Sequence, residues 1–216
     1  MPALFEDTPE YPPLDEALGP GTAILRGFAT AVDTAMIEAL FAVEAKSPFR
    51  HMITPGGFRM SVAMTNCGPL GWVTDRKGYR YTSRDPETGD LWPEMPKVFL
   101  GLAQQSAIKA GYPDFTPDAC LINRYQPGAR MTLHQDRNEK DFNQPIVSMS
   151  LGLPAVFLFG GLERSDKALR VPISHGDVLV WGGPARLRYH GINPLKDGSH
   201  PLTGRYRFNL TFRKAG

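Results

Sequence analysis

A histidine and an aspartate separated by one residue are the first candidates for chemistry in this sequence. His134 and Asp136 lie in the stretch LHQD, and an extended strand places side chains two residues apart on one face. His190, in the stretch YHGI, is the natural third ligand. Two imidazoles and one carboxylate leave the other positions of a metal open, as in the facial triad of non-haem Fe(II) oxygenases. A solvent-exposed polar pair is the alternative, because isolated H-x-D pairs occur by chance.

The C-terminal strand offers a second set of polar side chains on one face. These residues alternate with apolar ones, and they are Arg207, Asn209, Thr211 and Arg213. Asn123 and Tyr125 alternate in the same way in the stretch INRY and could reach the same pocket. Two arginines suit a dicarboxylate, because a guanidinium group binds a carboxylate through two parallel hydrogen bonds. An ordinary face exposed to solvent is the alternative interpretation.

Short predicted strands fill the C-terminal half of the sequence. They begin with ACLINRY at residue 119 and end with RYRFNLTF at residue 212, and Pro-Gly or Gly-Gly pairs separate several of them. Strands at such intervals favour a β-sandwich, a jelly roll or a small barrel. The predicted fold class is therefore mainly β, with flanking α-helices in an N-terminal helical part.

Two helices are predicted before these strands. Asp33 is predicted to cap a helix that runs to about Ala45, and Pro96 opens a second helix that ends near residue 110. Apolar residues at helical spacing predict the buried face of each helix, and Phe41 and Ile108 belong to these sets.

The sequence is predicted to form one domain over residues 21–216, preceded by an acidic, proline-rich arm over residues 1–20. A flap is expected at about residues 48–93, because a loop-rich segment of that length in a compact domain is usually functional or mobile. The β core is expected at about residues 117–213. A chain of 216 residues with 42% hydrophobic content fits a single core of this kind.

Net charge and cysteine content do not identify a partner for this protein. They are consistent with a location in the cytoplasm. The formal net charge of +2 does not by itself predict a nucleic-acid partner. The beginning of the sequence lacks the apolar stretch of a signal peptide, and no apolar run approaches the length of a membrane span. We therefore expect a cytoplasmic protein in which Cys67 and Cys120 are reduced and buried. His175 is predicted to be a structural residue at a turn.

Several short motifs occur together in a specific order. They are NRYxPGA (123–129), LHQD (133–136), SLGLPAxFxFGGL (150–162), HGDVxVWGG (175–183), YHGI (189–192) and RxNLTFR (207–213). In this order and spacing they closely resemble the AlkB family of Fe(II)/2-oxoglutarate-dependent nucleic-acid dealkylases. The resemblance extends from about Gly21 to the end of the chain.

The resemblance implies a double-stranded β-helix, or jelly roll, that binds Fe(II), 2-oxoglutarate and O2. His134, Asp136 and His190 would hold the iron. Arg207, with Tyr125, would pair with the distal carboxylate of 2-oxoglutarate. The other end of the cosubstrate would be oriented by Asn123, Asn209 and Arg213. No catalytic residue is expected beyond the iron centre.

The resemblance also implies the substrate and the residues that contact it. Members of the family oxidatively demethylate bases such as 1-methyladenine and 3-methylcytosine in DNA and RNA, with release of succinate, CO2 and formaldehyde. Their substrate would be alkylated single- or double-stranded DNA, or RNA, and one active site per chain suits a monomer without a membrane partner. The substrate contacts expected in this nucleotide-recognition flap and around it are Trp72, Tyr79, Tyr81, Asn138 and Arg164.

One position departs from the family pattern. Relatives carry an acidic side chain near the base where this sequence has Asn138, so the preference for cationic methylated bases is open. The adjacent Glu139 could compensate for the missing charge.

Two other functions remain as alternatives. The first is an oxygenase of the same chemistry that acts on proteins or small molecules, and the second is a noncatalytic jelly-roll binding module. The flap itself could be a solvated basic hairpin. Its interleaved aromatic and basic residues suit nucleic acid as well, because aromatic rings stack on bases and cations meet phosphates. The resemblance to the family favours the nucleic-acid interpretation.

Overall fold

The computed structural model describes residues 17–216, and its strands form three sheets. Two α-helices precede most of the strands, α1 (Asp33–Lys46) and α2 (Lys97–Lys109). The strands are β1 (Thr22–Leu25), β2 (Ala63–Cys67), β3 (Gly71–Asp75), β4 (Gly78–Thr82), β5 (Ala119–Tyr125), β6 (Met131–His134), β7 (Ile146–Gly152), β8 (Ala155–Phe159), β9 (Leu169–Ile173), β10 (Val178–Trp181), β11 (His190–Ile192) and β12 (Arg207–Arg213). The structure is therefore mainly β with flanking helices, as predicted.

Two of the sheets form the jelly-roll core. The large sheet has six strands in the order β1-β10-β7-β12-β5-β2, and the small sheet has four in the order β6-β11-β8-β9. Neighbouring strands pair antiparallel in both sheets. The predicted core over residues 117–213 supplies most of these strands, while β1 and β2 complete the two edges of the large sheet from the N-terminal part of the chain.

The large sheet is buried on both of its faces. Phe208, Leu210 and Phe212 of β12 belong to one apolar cluster, which also contains the inward-facing residues of both helices. The opposite face packs through Leu179 and Trp181 against apolar residues of the small sheet. All of β12 is buried as a result, so its polar face lines the interior of the fold and not the solvent.

The helices differ from prediction at three residues. Asp33 is the first residue of α1, which Val32 precedes as the N-cap. The Asp33 carboxylate does not cap the helix but lies 2.9 Å from His175 Nε2. Phe41 and Ile108 are 46% and 55% exposed, because each helix packs only a narrow stripe on the sheet and these two residues lie outside it.

The flap is a hairpin that packs beside the core. Strands β3 and β4 pair antiparallel and place Trp72 directly opposite Tyr81. The predicted flap, residues 48–93, also contains β2, which pairs with β5 in the large sheet. The flap is therefore split by a strand of the core, and we use the name flap hairpin for residues 71–82 only.

Four further predictions concern the cysteines, His175, a membrane span and the N-terminal arm. Cys67 and Cys120 are buried and free, as expected. His175 is structural, since its Nδ1 accepts a hydrogen bond from the Gly152 amide at 2.9 Å. Among the described residues, no helix is long and apolar enough to cross a membrane. Most of the predicted arm, residues 1–20, lies outside the described residues.

Candidate active site

Pairing of two short strands brings the candidate metal ligands together. In the small sheet β6 pairs with β11, and His134 lies directly opposite His190. Asp136 follows the end of β6. A Cβ at Gly191 would lie 2.6 Å from the Met131 carbonyl oxygen, so the lack of a side chain there lets β11 approach β6. One ligand atom from each member of the triad lies within 4.8 Å of the others.

The ring nitrogens of the two histidines are oriented by the main chain. Nδ1 of His134 lies 2.9 Å from the Thr132 carbonyl oxygen, and Nδ1 of His190 lies 3.1 Å from the Arg188 carbonyl oxygen. Each Nδ1–H therefore donates to a carbonyl group and leaves Nε2 free. Hydrogen bonds of this kind fix the tautomer and the orientation of metal-binding imidazoles.

The surroundings of His190 and Asp136 favour the forms of these two residues that bind a metal. Burial, with the neighbouring His134 as a further cause, lowers the pKa of His190 to about 3, which keeps its imidazole neutral. Burial is the largest single influence and acts to raise the pKa of Asp136. The neighbouring positive charges, that of Arg213 first, together outweigh it, and the pKa lies well below its usual value. A neutral imidazole and an ionised carboxylate are the forms that bind metal.

The polar residues predicted on β12 meet those of β5 across the large sheet. The register places Arg207 opposite Tyr125 and Asn209 opposite Asn123. The Asn123 side-chain amide donates to Asn209 Oδ1 at 3.4 Å. These four residues and the triad line one cavity of about 400 Å³, so the structure brings the two predicted sets of residues into a single site.

Arg207 is the strongest indication of a bound anion. Its side chain is 1% exposed, and Nη2 donates to Ser150 Oγ at 2.9 Å. Nε and Nη1 are buried without a hydrogen-bond partner, as is the Asn123 side-chain oxygen. Burial lowers the pKa of Arg207 to about 10, so it remains charged at neutral pH. A buried cation with unpaired donors is costly unless a ligand completes it, and a carboxylate of 2-oxoglutarate fits these donors.

Arg213 contacts a metal-ligand candidate directly, which sequence reasoning did not anticipate. Its Nε and Nη2 donate to Asp136 Oδ2 at 3.0 and 2.8 Å. Arg213 also lines the cavity. A contact of Arg213 with 2-oxoglutarate stays a prediction, while the contact with Asp136 orients the carboxylate of the triad.

The mouth of the cavity carries two of the aromatic residues of the flap hairpin, Trp72 and Tyr79. The rings of Trp72 and Tyr79 are stacked, with centroids 5.7 Å apart and an interplanar angle of 19°. The Trp72 indole N–H donates to Asn138 Oδ1 at 3.3 Å. Arg164 also lines the cavity, and it is exposed. Four of the five predicted substrate contacts therefore surround one opening.

Tyr81 and Glu139 lie elsewhere. Neither lines the cavity of the triad. The Tyr81 hydroxyl donates to Glu139 Oε1 at 2.5 Å, and the Glu139 side chain is 2% exposed and paired with Arg186. Glu139 therefore cannot compensate at the base for the missing charge of Asn138, and that expectation was wrong. Asn138 lines the cavity, whereas the next residue, Glu139, is buried in the interior.

Several cavity residues were not predicted from the sequence. Apolar and aromatic side chains form much of the wall, and they include Met60, Met64, Met131, Leu121, Phe157, Trp181, Tyr189 and Ile192. Trp181 packs edge-on against His190, with ring centroids 4.9 Å apart. Thr54, from the loop before β2, also reaches the cavity. In the sequence these residues look like ordinary core or loop positions.

The jelly roll, the triad and the buried arginine define a 2OG-Fe(II) oxygenase, an enzyme that uses Fe(II), 2-oxoglutarate and O2. Residues 21–213 match the 2OG-Fe(II) oxygenase superfamily. Alpha-ketoglutarate-dependent dioxygenase AlkB of Escherichia coli (strain K12) is 59% identical over 99% of this chain and 97% of that protein. The chain belongs to the AlkB family.

Two more distant relatives agree with this assignment. Nucleic acid dioxygenase ALKBH1 of Homo sapiens is 32% identical over 60% of this chain and 34% of that protein. The solved structure of OsALKBH1 superposes with a TM-score of 0.83 at 29% identity, over 94% of this chain and all of that chain. The jelly-roll fold expected from the sequence is thus confirmed.

Proposed function

We propose that this protein oxidatively demethylates N-alkylated bases, such as 1-methyladenine and 3-methylcytosine, in DNA or RNA. The observation that carries the proposal is one cavity with three parts. It has the triad of His134, Asp136 and His190 at its base, the incompletely paired Arg207 inside, and Trp72 and Tyr79 at its mouth. Such a cavity can bind three groups at the same time: a metal at the triad, a dicarboxylate at Arg207 and a flat ring between the aromatic side chains at the mouth.

The triad would hold Fe(II), and the neighbouring residues would hold 2-oxoglutarate. Arg207 would bind the distal carboxylate beside the Tyr125 hydroxyl, while Asn123 and Asn209 would orient the other end together with Arg213. When bound, Fe(II) and 2-oxoglutarate would support oxidation of the N-methyl group by O2, with the methyl carbon released as formaldehyde and 2-oxoglutarate converted to succinate and CO2. The protein positions the reactants and excludes water, and no side chain need act as an acid, base or nucleophile.

The flap hairpin would hold the target base outside its stack. Enzymes that modify bases in a duplex extrude the target nucleotide into a pocket, and Trp72 and Tyr79 offer rings for stacking. Arg164 is exposed at the same opening and would meet a phosphate or the base edge. Tyr81 would act through the hairpin and not by contact. The monomeric state and the cytoplasmic location stay predictions.

The test is formaldehyde release from a methylated oligonucleotide, measured with and without Fe(II) and with and without 2-oxoglutarate. We expect release only when both are present. Single-stranded DNA, duplex DNA and RNA carrying the same lesion would rank the substrates. If 2-oxoglutarate is consumed with another class of substrate but no methylated nucleic acid reacts, the alternative oxygenase function replaces this one.

Trp72→Ala is expected to weaken binding of the oligonucleotide. Stacking of a base on an aromatic ring contributes about 1–3 kcal/mol, so KM for the methylated oligonucleotide should rise by about 5- to 150-fold. KM for 2-oxoglutarate should not change, because Trp72 lies at the mouth of the cavity. Trp72→Phe keeps a ring but loses the bond to Asn138, and should show a smaller rise. Equal changes in both KM values would contradict a stacking role.

Asn138→Asp is expected to favour cationic lesions. The exposed Asn138 lines the cavity beside Trp72, and a carboxylate there would attract a positively charged methylated base. At ~4 Å the attraction is at least ~1 kcal/mol, so the preference for 1-methyladenine over neutral 1-methylguanine should rise by about fivefold or more. The ratio of the two kcat/KM values measures this preference. An unchanged ratio would show that Asn138 does not set selectivity.

A further inference from the structure

Two neighbouring hydrogen bonds join the flap hairpin to the segment that carries Asp136. Trp72 in β3 and Tyr81 in β4 lie opposite each other in the hairpin. The Trp72 indole donates to Asn138 at 3.3 Å, and the Tyr81 hydroxyl donates to Glu139 at 2.5 Å. Asn138 and Glu139 follow Asp136 by two and three residues, so the flap hairpin and the candidate metal site meet at one short segment.

Glu139 is the buried member of this contact, and all of its partners are polar. Its Oε1 accepts the hydrogen bond from Tyr81 and lies 3.5 Å from Arg213 Nε. Its Oε2 accepts a hydrogen bond from Arg186 Nη2 at 3.1 Å. A buried carboxylate is stable only with such partners, because an unpaired buried charge is costly. The position of Glu139 is therefore set by the flap hairpin and by two arginines together.

Both arginines also hold Asp136. Arg213 donates through Nε and Nη2 to Asp136 Oδ2, and Arg186 Nη1 donates to the Asp136 carbonyl oxygen at 2.7 Å. Since Arg213 Nε lies between the carboxylates of Asp136 and Glu139, a shift of Glu139 changes how Arg213 is shared between them. Glu139 is thus connected to the Asp136 side chain through Arg213, and to the Asp136 main chain through Arg186.

We propose that Glu139 is a positioning residue that couples the flap hairpin to the metal site. A hairpin docked through Tyr81 holds Glu139, Glu139 holds Arg213, and Arg213 orients the carboxylate of Asp136. Coupling between two sites is reciprocal, so a metal ion at Asp136 also stabilises the docked hairpin. The proposal rests on the proposed function only in taking Asp136 as a metal ligand.

For the reaction, the proposal links two events: closure of the flap hairpin over the target base and orientation of the metal ligand Asp136. The hairpin carries Trp72, which we place against the target base, and the same hairpin carries Tyr81. Closing over a base would therefore set the Asp136 carboxylate in place, while an open hairpin would leave it less well oriented. Groups that orient a metal ligand from behind commonly change metal affinity by about 10- to 100-fold, which makes the link measurable.

The test compares Tyr81→Phe with Tyr79→Phe. Both remove a hydroxyl from the same face of β4, but the Tyr79 hydroxyl has no hydrogen-bond partner among the described residues. Two quantities are measured on the full chain. They are the affinity for Mn(II) in the presence of 2-oxoglutarate, and the amide hydrogen exchange of residues 71–82 with and without Mn(II).

In the unaltered protein, Mn(II) should slow exchange in the hairpin. In Tyr81→Phe, exchange should be about tenfold faster, as expected from the loss of one hydrogen bond to a charged acceptor. It should also no longer respond to Mn(II), and the Mn(II) affinity should fall. Tyr79→Phe should match the unaltered protein in both quantities. A Tyr81→Phe protein with unchanged Mn(II) affinity and an unchanged response of the hairpin would overturn the proposal.

Glu139→Gln is a second test variant. Glutamine keeps the shape of the glutamate side chain but removes its negative charge. We expect Mn(II) affinity to fall by about tenfold or more. If this variant does not fold, Tyr81→Phe decides alone. Neither readout requires demethylation, so failure of the proposed substrate class leaves the test intact. Failure of the unaltered protein to bind Mn(II) would instead overturn the metal site, and this proposal with it.

Discussion

His134→Ala is expected to abolish formaldehyde release while leaving the fold intact. The loss should exceed the roughly 10- to 100-fold effect of removing a group behind a metal ligand, because a ligand itself is lost. The His134 side chain is 38% exposed, and among residues 17–216 the only hydrogen bond of its ring is to the Thr132 carbonyl within its own strand. The free energy of unfolding of the metal-free protein should therefore change by about 0.5 kcal/mol or less.

The control for this variant is a histidine outside the site. His200 stacks on His175, with ring centroids 4.4 Å apart, and it does not line the cavity. His200→Ala should retain formaldehyde release. Turnover is measured with saturating Fe(II) and 2-oxoglutarate, and thermal unfolding is followed by circular dichroism. Substantial turnover by His134→Ala, with the fold intact, would mean that the triad is not the metal centre.

Arg207→Met is expected to weaken 2-oxoglutarate binding and to stabilise the protein that has no ligand. Loss of a buried arginine that pairs with a carboxylate costs about 2–5 kcal/mol, so KM for 2-oxoglutarate should rise by about 30-fold or more. Methionine has nearly the volume of the arginine and carries no charge. Because Nε and Nη1 of Arg207 are buried without partners, their removal should leave the melting temperature unchanged or raise it.

A higher KM for 2-oxoglutarate without a lower melting temperature distinguishes a ligand-binding arginine from a structural one. A structural arginine would lower the melting temperature when it is replaced. Arg205→Met is the matched control, since Arg205 lies two residues earlier and its side chain is 65% exposed. That variant should keep the KM for 2-oxoglutarate of the unaltered protein. Unaltered cosubstrate binding by Arg207→Met would remove the assignment of this pocket to 2-oxoglutarate.

The alternation of side chains made much of the site predictable. Arg207, Asn209 and Arg213 share one face of β12 because the side-chain period of a strand is two. The prediction that this face serves a pocket needed the motif resemblance, since an exposed strand would show the same alternation. The structure gives the physical reason for the burial of this face, which is that the small sheet packs over this side of the large sheet.

The direction of individual side chains outside regular strands was harder to predict. Asn138 and Glu139 both follow β6, and both are polar, yet one lines the cavity and the other is buried beside Arg186. The sequence does not show that Arg186 and Arg213, from distant parts of the chain, lie in the interior and pair with the Glu139 carboxylate. For the same reason the bond from Tyr81 to Glu139 could not be foreseen, and Tyr81 was placed against the substrate.

The sequence alone determined which residue types could hold a metal and a dicarboxylate, which residues share a face within each strand, and that short strands dominate the C-terminal half. The tertiary structure decided how the strands pair. His134 and His190 face each other only because β6 and β11 are neighbours in a particular register, and β1 and β2 join the large sheet from far away in the chain. Local periodicity fixes the faces of a strand, but the register between distant strands depends on the packing of both sheets around one core.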